Sequence, residues 1–219
     1  MSDVPTIAEA QAAVRASGRG HRNSSDLYTT PPEAGSALAD LVRTRLTLPP
    51  APKVLEPTAG DGRLLLQIVE EAPDALDAAH LTVVELSGIW LTDLQAYDEC
   101  ACPMDFLAWA RVNRARQFDL ILGNPPYGLS FAVVRAAYEL LAPGGYLALL
   151  LRHGFLESGT RWTWHRDHPL TGMRTLHARQ HFRLNAAGKR GTDKWSSAWM
   201  VWQRPRAHGG QDLQWMDTW

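Results

Sequence analysis

The sequence predicts an α/β fold, a doubly wound and mostly parallel seven-stranded sheet that ends in a C-terminal antiparallel hairpin. Three observations predict it. Strand and helix patterns alternate from Lys53 onward, the order expected of linked βαβ units. Phe118, Leu120, Ile121 and Leu122 form a run apolar enough for the centre of a parallel sheet, and Tyr146-Leu147-Ala148-Leu149-Leu150-Leu151 forms another. Taken in order, strands are expected near 53–56, 81–86, 100–105, 118–123 and 145–151, with helices near 64–71, 88–97 and 130–141. Ala142-Pro143-Gly144-Gly145 supplies the turn before the last of these strands. Two further strands, near 174–184 and 196–203, should pair as the hairpin. Ahead of the sheet, an Ala-rich helical stretch from Ile7 to Arg15 and a Gly/Arg/Ser/Asn segment read as a mobile arm over 1–25. Residues 26–204 then form one domain and 205–219 a tail. Sheets of this kind carry their sites at the carboxyl ends of the strands.

Composition agrees with one domain, since 219 residues can bury a full core without staples. No apolar run approaches the roughly 20 residues that span a bilayer, and the N-terminus lacks a signal-peptide core. Cys100 and Cys102 alternate in an expected strand, with no second pair or His partner at metal spacing. They read as reduced thiols of a cytoplasmic protein, and no metal site is expected. The net charge of −1 hides an asymmetry. Residues 152–219 hold 11 Lys/Arg against 5 Asp/Glu, whereas the first 151 hold 11 against 18. Seven of the nine tryptophans and six of the eight histidines also fall in the later part. Basic groups interleaved with aromatics suit phosphates and unstacked bases. Arg161, Trp162, Trp164, Arg166, Lys189, Arg190, Lys194 and Trp195, in polar loop sequence, are the candidate substrate contacts. Trp199 and Trp202, inside a strand pattern, read as core. The competing reading is a solvated basic face over a Trp-rich core.

The strand 118–123 runs into Asn124-Pro125-Pro126-Tyr127. Two prolines forbid both strand continuation and an immediate helix, so the backbone there is stiff, extended and stripped of two N–H donors. What remains is a cluster of acceptors, the Asn124 side-chain oxygen and the Pro125 carbonyl, beside an aromatic ring. A planar amine can donate both hydrogens to those acceptors while its ring stacks on Tyr127. That arrangement suits alkylation of an exocyclic amino nitrogen. Upstream, Val54-Leu55-Glu56 leads into Pro57-Thr58-Ala59-Gly60-Asp61-Gly62 and a helical stretch from Leu64. Glycines there permit close backbone approach and positive φ, and the following helix N-terminus favours an anionic group. The turn lacks the third glycine and the Gly-Lys-Ser/Thr ending of phosphate-binding loops. Two more acids close strand patterns, Glu85 in Leu81-Thr82-Val83-Val84-Glu85-Leu86 and Asp105 in Met104-Asp105-Phe106. A carboxylate such as Glu85 at a strand end can hold a ribose diol.

Taken together, these elements resemble the amino-methyltransferases that use S-adenosylmethionine, above all small phage-type DNA adenine-N6 methyltransferases. The resemblance covers roughly residues 22–204 and implies a class I methyltransferase-like sheet. It implies S-adenosyl-L-methionine as cofactor, with Tyr28, Thr29, Thr30 and Pro31 closing over the methionine moiety. Glu56, Thr58, Ala59, Gly60 and Gly62 would form the first cofactor motif. Glu85 and Leu86 would hold the ribose, Asp105 and Phe106 the adenine, and Asn124 would touch both cofactor and target. Catalysis would fall to Asn124, Pro125, Pro126 and Tyr127, acting on an adenine of DNA flipped out of its stack. Around Tyr28-Thr29-Thr30-Pro31-Pro32-Glu33 the residues also read as a helix start, with Thr30 as cap. Ser197-Ala198-Trp199-Met200-Val201-Trp202 resembles the closing strand of the phage-type enzymes, and Gly188 to Lys194 the Gly/Lys/Thr/Asp-rich loop before it.

One departure matters. DNA adenine methyltransferases usually carry a separate recognition domain, and only about twenty residues, Arg152 to Thr171, separate the sheet patterns here. Specificity is therefore expected to be loose, or to come from loops, the N-terminal arm, a second subunit or an accessory partner. Three rivals stay open at this point. One is a protein glutamine-N5 methyltransferase, whose amide substrate the same acceptors could grip. The others are an RNA adenine methyltransferase and a non-catalytic nucleic-acid-binding relative. Cytosine-N4 methylation is also open, though those enzymes more often begin the tetrapeptide with Ser.

Overall fold

A computed structural model describes residues 30–90, 94–95, 97–176, 183–184, 190–191, 196–206 and 215–218. The Ala-rich stretch 7–15 lies outside them. In chain order the elements are α1 (Pro32–Arg45), β1 (Lys53–Glu56), α2 (Arg63–Glu71), α3 (Pro73–Leu76), β2 (His80–Val84), β3 (Glu99–Ala101), α4 (Phe106–Val112) and β4 (Phe118–Gly123). They continue with α5 (Ser130–Glu139), β5 (Leu141–Arg152), α6 (Gly159–Asp167), β6 (Gly172–Thr175), β7 (Arg183–Leu184), β8 (Arg190–Gly191), β9 (Ser197–Gln203) and β10 (Trp215–Thr218). Eight strands form the main sheet in the order β10-β6-β9-β5-β4-β1-β2-β3. Within that sheet every pairing is parallel except those of β9, which runs against both β5 and β6, while β7 and β8 pair antiparallel in a separate two-stranded sheet. The strand order reverses between β1 and β4, so the cleft of a doubly wound sheet should open at their carboxyl ends.

Alternation along the strands builds two cores. In β4, Leu120 and Leu122 face one layer and Ile121 the other, as a period of two demands. The first layer joins Val54, Leu120, Leu122, Ala148, Leu150 and Trp199 to Leu38 and Leu41 of α1 and Leu65 and Ile68 of α2. The second joins Leu55, Ile121, Leu147, Leu149 and Trp202 to Phe106 and Trp109 of α4 and Val133, Val134 and Ala137 of α5. Trp199 and Trp202 are fully buried, as expected of strand residues, and Trp199 Nε1 donates to the Ala34 carbonyl at 2.8 Å.

Several boundaries differ from expectation, each for a physical reason. The Ala142–Gly145 turn is absorbed into β5 as an irregularity, where the register jumps from Phe118↔Leu141 to Leu120↔Tyr146. The strand expected to 105 stops at Ala101, because Asp105 caps α4 by accepting from the Ala108 amide at 2.9 Å. The helix expected over 88–97 opens as a 3₁₀ turn, Gly88–Trp90, and residues 91–93 and 96 lie outside the described set. Thr30 is not the cap of α1; Pro31 holds that position and its carbonyl accepts from Ala34 at 2.9 Å. Trp215–Thr218, expected as tail, adds an eighth strand at the edge beside β6. No helix among the described residues is long and apolar enough to cross a membrane.

Candidate active site

Thr30, the turn after β1, the segment after β2 and the start of the Asn124 tetrapeptide converge at the reversal point. A cleft there is lined by Thr30, Glu56, Thr58, Ala59, Gly60, Asp61, Arg63, Leu64, Trp90 and Asn124. Gly60 and Gly62 both adopt positive φ, +56° and +76°, where a side chain would be strained. At Gly62 space is closed as well: a Cβ would come within 2.8 Å of Leu94 Cδ2 and of the Tyr97 hydroxyl. That hydroxyl donates to the Gly62 carbonyl at 2.5 Å. Burial, reinforced by the charge of Glu56, raises the Tyr97 pKa and keeps the donor neutral.

Glu85 fixes the same turn from the other side. Its Oε2 accepts from the Gly60 amide at 2.7 Å, and its Oε1 from the Ser87 amide at 2.7 Å. Each carboxylate oxygen keeps acceptor capacity beyond these bonds. Glu56, at the end of β1, is only 2 % exposed. Burial pushes its pKa well above the usual carboxyl value, and the charges of Asp61 and Glu85 add to the rise, with a backbone hydrogen bond from Leu65 opposing them. Asp61 is itself engaged by Arg63 at 2.8 Å.

Asn124 leaves β4 half-buried and donates from Nδ2 to Thr30 Oγ1 at 3.2 Å. The amide oxygen is then its acceptor for a ligand. Beyond it, Pro125 is buried and Pro126 exposed, and the loop is pinned to α5 through Leu129 N–H to Pro126 O at 2.9 Å and Ser130 Oγ to Tyr127 O at 3.0 Å. The Arg152 guanidinium lies over the Tyr127 ring, 4.0 Å from its centroid.

Three buried polar atoms along this cleft have no hydrogen-bond partner among the described residues: Glu56 Oε2, Thr58 Oγ1 and Trp90 Nε1. Unpaired buried polar groups are costly, and a polar ligand in the cleft would relieve that cost.

The structure thus brings together Thr30, Glu56, Thr58, Ala59, Gly60 and Asn124 in one cleft, with Gly62 and Glu85 bonded to its turn. Other candidates stand differently. Leu86 is exposed at 66 % and offers an apolar wall beside Glu85. Phe106 is 4 % exposed and packs on Trp109 in the core, so its ring is committed below the surface. Asp105 uses one oxygen as the α4 cap. Arg161, Trp162, Trp164 and Arg166 sit on helix α6, not on a loop. Trp164 is packed there against Phe131, Tyr138, His168 and Trp202, which gives it a structural use; Trp162 is 66 % exposed. Arg161 covers Phe155, and Arg166 pairs with Asp167 at 2.9 Å. Arg190 is described only as backbone in β8, while Tyr28, Thr29, Lys189, Lys194 and Trp195 lie outside the described residues. Cys102 Sγ donates to the Ser87 carbonyl at 3.2 Å, and among the described residues no group of three or more His, Cys, Asp or Glu could hold a metal.

Of the residues lining the cleft, Asp61, Arg63, Leu64 and Trp90 escaped the sequence reading of the site, as did Arg152 beside Tyr127. Trp90 carries a weak signal, a lone tryptophan shortly after the second acid. Arg152 carries a stronger one: it is the first charge after the apolar run that pairs with β4.

No protein-family model matches the chain, and no curated protein matches it. Solved structures do. A Listeria monocytogenes protein assigned to the class I S-adenosylmethionine-dependent methyltransferases superposes with a TM-score of 0.67 at 14% identity, over 99% of this chain and 75% of that one. The fold is that of the class I methyltransferases. A type I restriction-modification methyltransferase subunit from Streptococcus thermophilus gives 0.62 at 16% identity, over 94% of this chain and 52% of its own. The M protein of the type I restriction enzyme EcoKI gives 0.61 at 17%, over 89% and 47%. This chain spans about half the length of those two subunits.

Proposed function

We propose that this protein transfers a methyl group from S-adenosyl-L-methionine to the exocyclic N6 amine of adenine in DNA, with sequence specificity that is loose or supplied by a partner. One observation carries the reading: Asn124, at the carboxyl end of β4, shares a cleft with the glycine turn and Glu56, and its amide is oriented by Thr30. The unpartnered Glu56 Oε2, Thr58 Oγ1 and Trp90 Nε1 fit a polar cofactor in that cleft. Glu85, already held by two backbone amides, would add the ribose contact. When bound, the cofactor supplies a methyl group on an activated sulfonium.

The chain's own part is alignment. Asn124 Oδ1 and the Pro125 carbonyl accept the two hydrogens of the target amine, which directs the nitrogen lone pair along one axis. Tyr127 holds the base by its ring. Neither a covalent nucleophile nor a metal is needed for such a displacement. The type I restriction-modification neighbours favour DNA among the amine-bearing substrates. Nucleoside mass spectrometry of DNA and RNA incubated with protein and cofactor tests the reading. N6-methyladenine in DNA is expected; methylation confined to RNA, or to a glutamine peptide offered in parallel, would replace it.

A further inference from the structure

Glu56 ends β1, and its side chain reaches across the strand-order reversal toward β4: a Cβ at Gly123, next to Asn124, would stand 3.8 Å from Glu56 Cγ. The carboxyl is 2 % exposed and lines the cleft, and its Oε2 has no hydrogen-bond partner among the described residues. A buried carboxyl with an unpaired oxygen costs far less neutral than ionised, so the free protein holds it with its proton.

The groups around it say what can displace that proton. Asp61 lies in the turn before α2 and Arg63 in its first turn, paired with each other at 2.8 Å. Glu85, after β2, is held by the Gly60 and Ser87 amides. Tyr97 donates its hydroxyl to the Gly62 carbonyl, and Thr30 and Asn124 are neutral and bonded to each other. Among the residues lining the cleft Arg63 is the single cation, and it is engaged by Asp61. An ionised Glu56 would therefore bring a third carboxylate to this turn, against one guanidinium. The Trp90 Nε1–H and the Thr58 hydroxyl, also unpaired, can donate to an anionic part of a ligand. Glu56 is left as the unpaired group that can become an anion, and a positive charge in the cleft is what stabilises that form. S-adenosyl-L-methionine brings such a charge, a sulfonium and an ammonium against one carboxylate.

We infer that Glu56 exchanges its proton for the positive charge of the cofactor: its O–H bond breaks as the cation enters, the proton leaves to solvent, and the carboxylate remains as counter-ion. The inference rests on the cofactor placement proposed above and deepens it, since affinity then depends on pH and on the charge of the ligand. A proton released on binding makes affinity rise with pH, by up to about tenfold per unit, wherever Glu56 is protonated in the free protein and ionised in the complex.

Calorimetry of the full chain in buffers of different ionisation enthalpy counts the protons. Between about pH 5 and 7 an α-amino group keeps its own proton. Over that range wild type should release about one proton per S-adenosyl-L-methionine and bind more tightly as pH rises. Glu56→Gln should release none and keep a flat affinity. S-adenosylhomocysteine, the thioether product, locates the charge within the ligand. Equal proton release with it assigns Glu56 to the ammonium, and little release assigns Glu56 to the sulfonium; either supports the exchange. Should Glu56→Gln fail to fold, loss of the wild-type protonated-carboxyl infrared band on adding cofactor carries the assignment, and persistence of that band overturns it. Binding by wild type with no proton released, or with one taken up, overturns the inference and leaves the cofactor reading standing. Undiminished release in Glu56→Gln overturns it equally. A wild-type protein that binds no cofactor removes the reading and the inference together.

Discussion

Asn124 and Glu56 make opposite demands on the same cleft, and each gives a separable experiment. On the proposed reading Asn124→Ala removes an acceptor for the target amine, so turnover should fall by orders of magnitude, on the scale of losing one preorganised contact to developing charge. Cofactor affinity should stay within a few fold, because the bond to Thr30 orients Asn124 without building the glycine turn. Single-turnover rates and calorimetry together check this, and near-normal methylation would remove Asn124 from catalysis. Glu56 concerns stability. Its carboxyl is buried beside Asp61 and Glu85, and its pKa is raised. A carboxyl raised in the native state favours the fold while both states are protonated. That contribution is lost as pH rises from about the ordinary 4.5 through the higher native value. Glu56→Gln cannot ionise, so its melting temperature without cofactor should match wild type in acid and exceed it increasingly toward neutral pH. Parallel pH profiles for the two proteins would show that Glu56 ionises freely in the fold. Both residues were legible in sequence, because each ends an apolar strand and precedes a turn of fixed chemistry. The bond from Asn124 to Thr30 was not legible, since 94 residues separate them.

Helix α6 shows where sequence patterning fails at the scale of an element. Its stretch, Gly-Thr-Arg-Trp-Thr-Trp-His-Arg-Asp, has no run of aliphatic residues, so it reads as polar loop. The inward face is nonetheless apolar in effect. Trp164 stacks on His168 at 4.5 Å and meets Tyr138 and Phe131 edge-on, while His165 lies over Trp202. Burial and the nearby Arg161 charge depress the His165 pKa, so its ring joins the cluster as a neutral aromatic. Aromatic and histidine rings at helical spacing replace the aliphatic stripe that periodicity rules look for. The two tryptophans of α6 should therefore behave differently. Trp164→Ala should destabilise by about 3 kcal/mol, the lower end for removing a buried indole, given its partial exposure. Trp162→Ala should change stability by no more than about 0.5 kcal/mol, as an exposed site does. If a base stacks on Trp162, the same variant should weaken nucleic-acid binding by roughly 1–3 kcal/mol. Urea unfolding and oligonucleotide titration of both variants read the two quantities separately. Equal stability losses would contradict the assignment of Trp164 to the cluster and Trp162 to the surface.

Across the whole molecule, the alternation of strands and helices was readable because β4 and β5 are buried on both faces and therefore continuously apolar, Leu120 to Leu122 and Leu147 to Leu151 all being fully buried. The eighth strand was not, because four residues of mixed polarity carry no period, and what holds them lies far away in sequence. Trp215 lies across Gly172, where a Cβ would approach its ring to 2.1 Å, so only glycine admits it. Asp217 accepts from Arg174 Nε at 2.8 Å and from Arg45 at 3.1 Å, and Arg174 also reaches Asp40 at 2.7 Å and the Ala37 carbonyl at 3.2 Å. Arg174 is 5 % exposed, so this network joins β6, β10 and α1 around a buried cation. Asp217→Ala should cost about 3 kcal/mol, the low end for breaking a buried pair, because Asp40 still faces the guanidinium. The hydrogen bond from Arg174, aided by Arg45, holds the Asp217 carboxyl below its ordinary 3.8, with burial partly opposing them. A depressed carboxyl stabilises the fold above its unfolded value and loses that contribution as pH falls through the native one. The gap between wild type and Asp217→Ala in denaturant midpoint should therefore be full at neutral pH and close in acid, below about 3.8. An unchanged midpoint at neutral pH would mean that β10 detaches without cost to the rest of the fold, and that the seven remaining strands form the cooperative unit by themselves.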